Sequence, residues 1–209
     1  MRSATDPNRV GYCSDCWQPD PLCLCPEPVT VSIQVLIVRH WKEAWKSSNT
    51  GRLAQLAIHG AKILDYGAPG QTFDEAPLKQ PNTWLLFPPA RQTDPNGTCT
   101  EPPSSLLMDV LDQGHRIDRL VVIDASWPQA RKLARRIPSL SQLPRVQVRP
   151  PETPPVRLRK PPFPKAMATL EAIARAVEQI DGPAAAHPLD VLFNRFVKQS
   201  RARSGRPPH

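Results

Sequence analysis

Five consecutive residues, Leu120-Val121-Val122-Ile123-Asp124, constrain this chain more than any other stretch. A continuous aliphatic run has no polar face, so as a strand it must be covered on both sides, as inner strands of parallel sheets are. It stops at a carboxylate. Ser126 can then cap a helix over 128–137, with Pro128 tolerated in its first turn. The same alternation recurs along the chain. A β-like run, VTVSIQVLIV, opens at Val29 and closes at Val38. A helical stretch centred on 49–58 follows, with Asn49 or Thr50 as its cap. Ile63 to Tyr66 is a short apolar run. Thr83 to Phe87 reads as a strand halted by Pro88-Pro89. Leu106 to Gln113 is a helix ending at Gly114, and Arg145 to Arg149 a short strand. A helix over Ala168–Ile180 ends at Asp181-Gly182-Pro183. The last helix, Leu189 to Arg201, sets Leu192, Phe193, Phe196 and Val197 on one face.

Strands alternating with helices predict an α/β chain with a mostly parallel sheet. Ligands of such sheets sit beyond the C-terminal ends of the strands. That rule singles out Phe87-Pro88-Pro89, Asp124-Ala125-Ser126-Trp127 and the loop around Arg157-Leu158-Arg159. The 27 prolines lie between the apolar runs and read as rigid connections, and with aromatic residues at 6% the core must be aliphatic. The 209 residues fit one domain with a small appendage. The boundary falls after residue 28, separating a polar Cys- and Pro-rich segment, 1–28, from a main domain, 29–209.

Within the first segment, Cys13-x-x-Cys16 and Cys23-x-Cys25 present four thiols in paired short spacings, which suits a tetrahedral, closed and therefore structural zinc site. Two disulfides or unrelated buried thiols are the competing use. Cys99 stands alone in a polar loop and reads as incidental. The chain has no run of about 18 apolar residues, so no membrane span is expected. Its opening, MRSATDPNRV, lacks an apolar leader core, so a reducing, cytoplasmic setting is expected.

A net charge of +8 and a pI of about 9.6 favour a polyanionic partner. Arg157, Arg159 and Lys160 cluster between prolines, where the arginine forks suit phosphate or carboxylate. Arg131, Lys132, Arg135 and Arg136 fall on neighbouring stripes of one helix and suit an RNA backbone. In both places a solvated charged surface gives the same pattern. Asp124, Ser126 and Trp127 offer a carboxylate, helix N–H groups and a flat apolar wall to a ligand. A helix cap beside a core tryptophan has the same sequence.

The segment from Leu120 to Leu133, with Asp124-Ala125-Ser126-Trp127 at its heart, resembles the signature of the DTW-domain family, with Ser126 where the family has Thr. Cys13 to Cys25 resembles that family's zinc cluster. His40 to Leu53, ending in Ser48-Asn49-Thr50-Gly51-Arg52-Leu53, resembles its first block, with Trp41 where Pro is usual. Arg157-Leu158-Arg159-Lys160-Pro161 and Ala168-Thr169-Leu170-Glu171-Ala172 resemble its C-terminal blocks. The resemblance implies a SPOUT-like fold with a C-terminal trefoil knot. It also implies a tRNA-uridine aminocarboxypropyltransferase, which moves the 3-amino-3-carboxypropyl group of S-adenosylmethionine to uridine N3 and releases methylthioadenosine. On that basis Asp124, Ser126 and Trp127 are the expected catalytic residues. Leu86, Phe87, Pro88, Ile123, Ala125, Leu158, Thr169 and Glu171 are expected at the cofactor. Asn49, Thr50, Arg52, Arg131, Arg135, Arg157, Arg159 and Lys160 are expected at the RNA. Partners are tRNA and one structural Zn²⁺, with a monomer favoured and no membrane. A methyltransferase on the same scaffold, or a non-catalytic RNA-binding module with a zinc knuckle, are the competing functions.

Overall fold

The computed structural model describes residues 10–88, 104–151, 155–156 and 166–204. Among these residues six strands form one sheet: β1 (Gln34–His40), β2 (Lys62–Tyr66), β3 (Thr83–Leu86), β4 (Ser104–Leu106), β5 (Arg119–Asp124) and β6 (Arg145–Gln147). Their spatial order is β2-β1-β5-β3-β6-β4, and every pairing is parallel. The helices are α1 (Thr50–Ala57), α2 (Leu107–Asp112), α3 (Trp127–Arg136), α4 (Pro138–Gln142), α5 (Thr169–Asp181) and α6 (Pro183–Ser204).

Side-chain alternation divides the aliphatic strands between two cores. Val35 and Ile37 of β1 and Leu120 and Val122 of β5 pack with Leu53, Leu170, Ile173 and Phe196 from α1, α5 and α6. Their neighbours Leu36, Val38, Val121 and Ile123 face the other way, onto Ala130, Leu133, Ala134 and Leu140 of α3 and α4. The unbroken aliphatic runs are thus accounted for, since each alternate residue is buried by a different helical layer. Cys16 and Leu24, from the Cys-rich segment, are buried in the first of these cores. That segment packs on the α1–α5–α6 layer.

The chain departs from the sequence expectation at several places, one of them α4, for which the sequence reading had no counterpart. The first strand begins at Gln34 rather than Val29. Val29 instead crosses the end of α1, accepting from His59 N–H at 2.9 Å and donating to Ala57 O at 2.8 Å. The short strand β4 at Ser104–Leu106 was not anticipated, because three residues carry no periodicity. The last helix starts at Pro183, six residues early, directly after Gly182 at φ 87° breaks α5. Proline is favourable in a first helical turn, and Ala184 to Ala186 are strong helix formers. The expected knot falls on the connection between β6 and α5, which includes 152–154 and 157–165, outside the described residues.

The strand order determines where a site can form. From β1 the chain passes outward to β2, whereas from β5 it passes the opposite way, across β3, to β6. Adjacent strands whose connections diverge leave a crevice at their C-terminal ends. Between β1 and β5 that crevice opens where Arg39 pairs in register with Asp124.

Candidate active site and metal centre

Asp124 closes β5 on the same face as Leu120 and Val122, and so points to α1 and α5. Its carboxylate joins the N-termini of both helices. Asn49 caps α1, its Oδ1 accepting from Arg52 N–H at 2.8 Å, while its Nδ2 donates to Asp124 Oδ2. From the start of α5, Thr169 Oγ1 donates to Asp124 Oδ1 at 2.7 Å. The two helix starts also meet directly, Leu170 N–H donating to Thr50 Oγ1 at 3.4 Å. Each N-terminus carries a partial positive charge, which a carboxylate between them complements. Gly51 is required here, because a Cβ on it would lie 2.6 Å from Asp124 Oδ2. Asp124 is only 6% exposed. Burial pushes its carboxyl above the ordinary range, against the pull of the Thr169 and Asn49 hydrogen bonds. Beside it, Arg39 is tied to Asp65 of β2 through Nε at 2.7 Å and Nη2 at 2.8 Å.

The other residues of the motif serve a different layer. Ser126 Oγ donates to Gln129 Oε1 at 2.6 Å, and the same oxygen accepts from Ser126 N–H at 3.1 Å, closing the start of α3. Trp127 packs against the α3–α4 core, its ring 6.1 Å from that of Phe87. Ile123 belongs to the same cluster, while Leu86 lies on the opposite side of the sheet. Arg145 stands 5.5 Å from the Phe87 ring. Thus Asp124 and Trp127, three residues apart, address opposite faces of the sheet edge. Pro88 and Ala125 are half-buried.

Glu171, expected near the cofactor, is 2% exposed and accepts from Ala168 N–H at 3.1 Å, capping its own helix. Arg131 is half-buried and Arg135 exposed on α3. Arg157, Leu158, Arg159 and Lys160 lie outside the described residues, as do Pro89 and Cys99. Phe87 and Trp127 form an apolar edge, their rings tilted 50° to each other. A cavity of about 430 Å³ lined by Leu78, Asn82, Thr83, Trp84, Ser139 and Pro144 lies at the opposite, N-terminal ends of β3 and β6.

The four cysteines converge as their spacing predicts. Their Sγ atoms all lie within 4.8 Å of one another, with Cys13–Cys25 at 3.4 Å and Cys16–Cys23 at 3.7 Å. Thiolates held about 2.3 Å from a tetrahedral zinc stand about 3.8 Å apart, so the set fits that ion. The first pair is turned by Trp17 at φ 57°, with Trp17 N–H donating to Cys13 O at 3.0 Å. Leu24 N–H donates to Cys16 Sγ at 3.3 Å. Burial raises the Cys13 thiol, but hydrogen bonds from Cys16 and Asp15 backbone and from Cys25 and Cys23 outweigh it and hold it at about 7. Burial raises Cys16 and Cys25.

Arg52, expected at the RNA, joins the four-thiol centre to α1. Its guanidinium sits 3.3 Å over the Trp17 ring, and donates to Ala44 O at 2.9 Å and Asp15 O at 3.4 Å. Burial lowers its pKa to about 10. Gln18 adds a second tie, donating to Ser47 O at 3.3 Å and accepting from Arg203 of α6 at 2.9 Å. Sequence reasoning had no signal for Trp17 or Gln18 as ties, because Trp45, Arg52, Ser47 and Arg203 all lie 28 or more residues away.

A parallel α/β domain with a buried carboxylate at its switch point, and a four-thiol centre packed on one helical layer, is the class defined so far. The DTW domain matches residues 10–201, both parts together. The chain belongs to the DTW-domain family. It is 28% identical over 191 residues, 86% of this chain and 70% of the relative, to tRNA-uridine aminocarboxypropyltransferase 2 of Drosophila melanogaster. No solved structure matches the chain.

Two outcomes follow from this geometry. Protein purified without chelator should carry one zinc per chain by elemental analysis, and Cys99→Ser should leave that content unchanged. Substoichiometric metal with all four thiols reduced would contradict the centre. Replacing Gly51 by Ala should destabilise the fold by about 1–3 kcal/mol, the usual cost of overpacking, because the new methyl meets the Asp124 carboxylate. Urea unfolding reads this as a lowered midpoint at constant m-value.

Proposed function

We propose that this protein transfers the 3-amino-3-carboxypropyl group of S-adenosylmethionine to N3 of a tRNA uridine. Family membership and the activity for which the fly relative is named support the transfer and the tRNA. The observation that supports the reading in this chain is the buried Asp124 carboxylate, which joins the starts of α1 and α5 at the switch point between β1 and β5. The donor supplies an activated carbon next to a sulfonium. In the transfer, uridine N3 loses its proton to solvent water, and the electron pair left on nitrogen forms a bond to that carbon. The carbon–sulfur bond breaks, and its electron pair stays on sulfur as methylthioadenosine leaves.

The chain's own residues contribute position, because a correctly placed nucleophile and donor already remove much of the barrier. Phe87 and Trp127 offer an apolar wall for the adenine. The four cysteines hold a structural zinc with no open coordination position. Asp124 acts as a positioning residue. Both its oxygens are engaged by Asn49 and Thr169, and through them it fixes the two helix starts that border the crevice. Direct contact with the uridine, the expectation from sequence, would need the carboxylate to give up one of these partners.

Incubating the pure protein with bulk tRNA and labelled donor, followed by nucleoside mass spectrometry, tests the reaction. Methylthioadenosine is the expected by-product, and S-adenosylhomocysteine would indicate methyl transfer instead. Asp124→Asn can rebuild both hydrogen bonds, with its oxygen toward Asn49 Nδ2 and its amide toward the Thr169 hydroxyl. It should therefore retain turnover within about tenfold, while Asp124→Ala, which leaves two donors unsatisfied, should lose far more. A fall of about two to four orders of magnitude in a folded Asn variant would make Asp124 the proton acceptor itself.

The raised carboxyl pKa has its own signature. Between the ordinary carboxylate value, about 3.9, and the raised one, the folded chain holds a proton that the unfolded chain has lost. Stability of the parent relative to Asp124→Asn should therefore fall as pH rises through that interval. Paired denaturant titrations across pH measure the difference, and acid effects on the metal centre, common to both proteins, cancel.

A further inference from the structure

Directly after β1, where the crevice opens, the chain runs His40-Trp41-Lys42-Glu43-Ala44-Trp45-Lys46. Trp45 is 42% exposed, and among the described residues it is the one aromatic side chain exposed to that degree. A single partly exposed indole is ordinary by itself; its mounting and its charged neighbours are what distinguish this one. It is held rigidly. It stacks on Trp17 at 5.8 Å between centroids and 21° between planes, and Trp17 in turn lies under the Arg52 guanidinium at 3.3 Å. The result is a column of guanidinium, indole and indole. Its inner end is the first turn of α1, which also grips Asp124, and its outer end is open.

The surroundings of that end are cationic. Lys42 is exposed, with its Nζ 5.6 Å from the Trp41 ring. Lys132 of α3 is exposed and close enough to act on His40. Burial, together with the charges of Lys42, Lys46 and Lys132, depresses the His40 imidazole, with Glu43 acting the other way. Lys46 is committed to Glu43 by an ion pair. Lys42, which leans on the Trp41 ring, and Lys132 thus bring positive charge to His40, at the start of the segment that carries the pre-ordered indole.

We infer that the outer end of the Arg52–Trp17–Trp45 column is a stacking platform for an unpaired base of the RNA, with Lys42 and Lys132 holding adjacent phosphates. The inference rests on the tRNA substrate proposed above and names where an unstacked nucleotide near the target docks. A ring already fixed by stacking loses little conformational freedom when a base joins it, and every base has a face to offer. A polyanion is the partner that matches the lysines, and an unpaired strand rather than a duplex is what exposes base faces to an indole.

The test uses the zinc-loaded full chain and two labelled RNAs of equal length, an unstructured oligouridylate and a blunt duplex, in fluorescence anisotropy titrations over a range of salt. Trp45→Ala should weaken oligouridylate binding by about five- to hundredfold and leave its salt slope and the duplex affinity unchanged. Trp45→Phe, which restores an aromatic face, should recover most of the loss. Lys132→Ala should instead reduce the slope for the single strand by about 0.7. Metal content and melting temperature of each variant establish that it folds. A folded Trp45→Ala protein with parental affinity for oligouridylate overturns the platform, as does equal weakening toward both RNAs. If the parent modifies tRNA and Trp45→Ala still binds normally, the platform fails and the substrate stands. If Trp45 governs oligouridylate binding while tRNA uridines stay unmodified, the platform stands and the transfer reaction fails. A parent that binds neither RNA overturns the platform, and the transfer reaction is then decided by the tRNA incubation alone.

Discussion

The Asp124 carboxylate is held between the first turns of α1 and α5, and the geometry of the sheet's C-terminal edge follows from that contact. A buried charge is costly unless it is paired or hydrogen-bonded. Here Asn49 and Thr169 supply the hydrogen bonds, and the positive ends of two helices supply the field. The partners are constrained in return. Asn49 must present its oxygen to Arg52 N–H to cap α1, which leaves its amide for Asp124. Position 51 must be glycine, because no side chain fits beside the carboxylate. One carboxylate thus determines the residue types at several positions distant in sequence.

The metal centre is connected to this edge through α1. The turn carrying Cys13 and Cys16 presents Trp17 to Arg52, and Arg52 lies within the same helical turn as Gly51. The cysteine segment thereby becomes part of the site's support, and it shares the α1–α5–α6 core through Cys16 and Leu24. A closed four-thiolate zinc site does no chemistry of its own, but it can order a loop too short and too polar to order itself. The match of a single family domain over residues 10–201, spanning both parts, agrees with this shared core.

Several features were legible from local pattern. The aliphatic runs gave the parallel strands, since only a sheet covered on both faces buries every residue of Leu120 to Ile123. Proline and glycine marked the ends of β3 and α5. The cysteine spacing predicted the four-thiol cluster. Sequence reasoning went astray where the periodic signal was weak or absent: β4 is three residues long, Val29 was absorbed into a strand it does not join, and α6 began ahead of its apolar stripe. Asp124 ends a central strand as expected, whereas Asp124 and Trp127, read as one constellation, are turned to opposite faces by the structure.

The order of residues by itself determined which segments become strands and helices, that four thiols would meet, and that a carboxylate would end a central strand. Those outcomes depend on burial pattern and short spacings, which are local properties of the chain. The tertiary structure alone decided what the carboxylate touches, that Arg52 stacks on Trp17, and that the connections leaving the paired strands β1 and β5 run in opposite directions. These depend on contacts between residues far apart in sequence, such as Asn49, Asp124 and Thr169. No local preference encodes such contacts, because they exist only once the sheet order has brought the helix starts together.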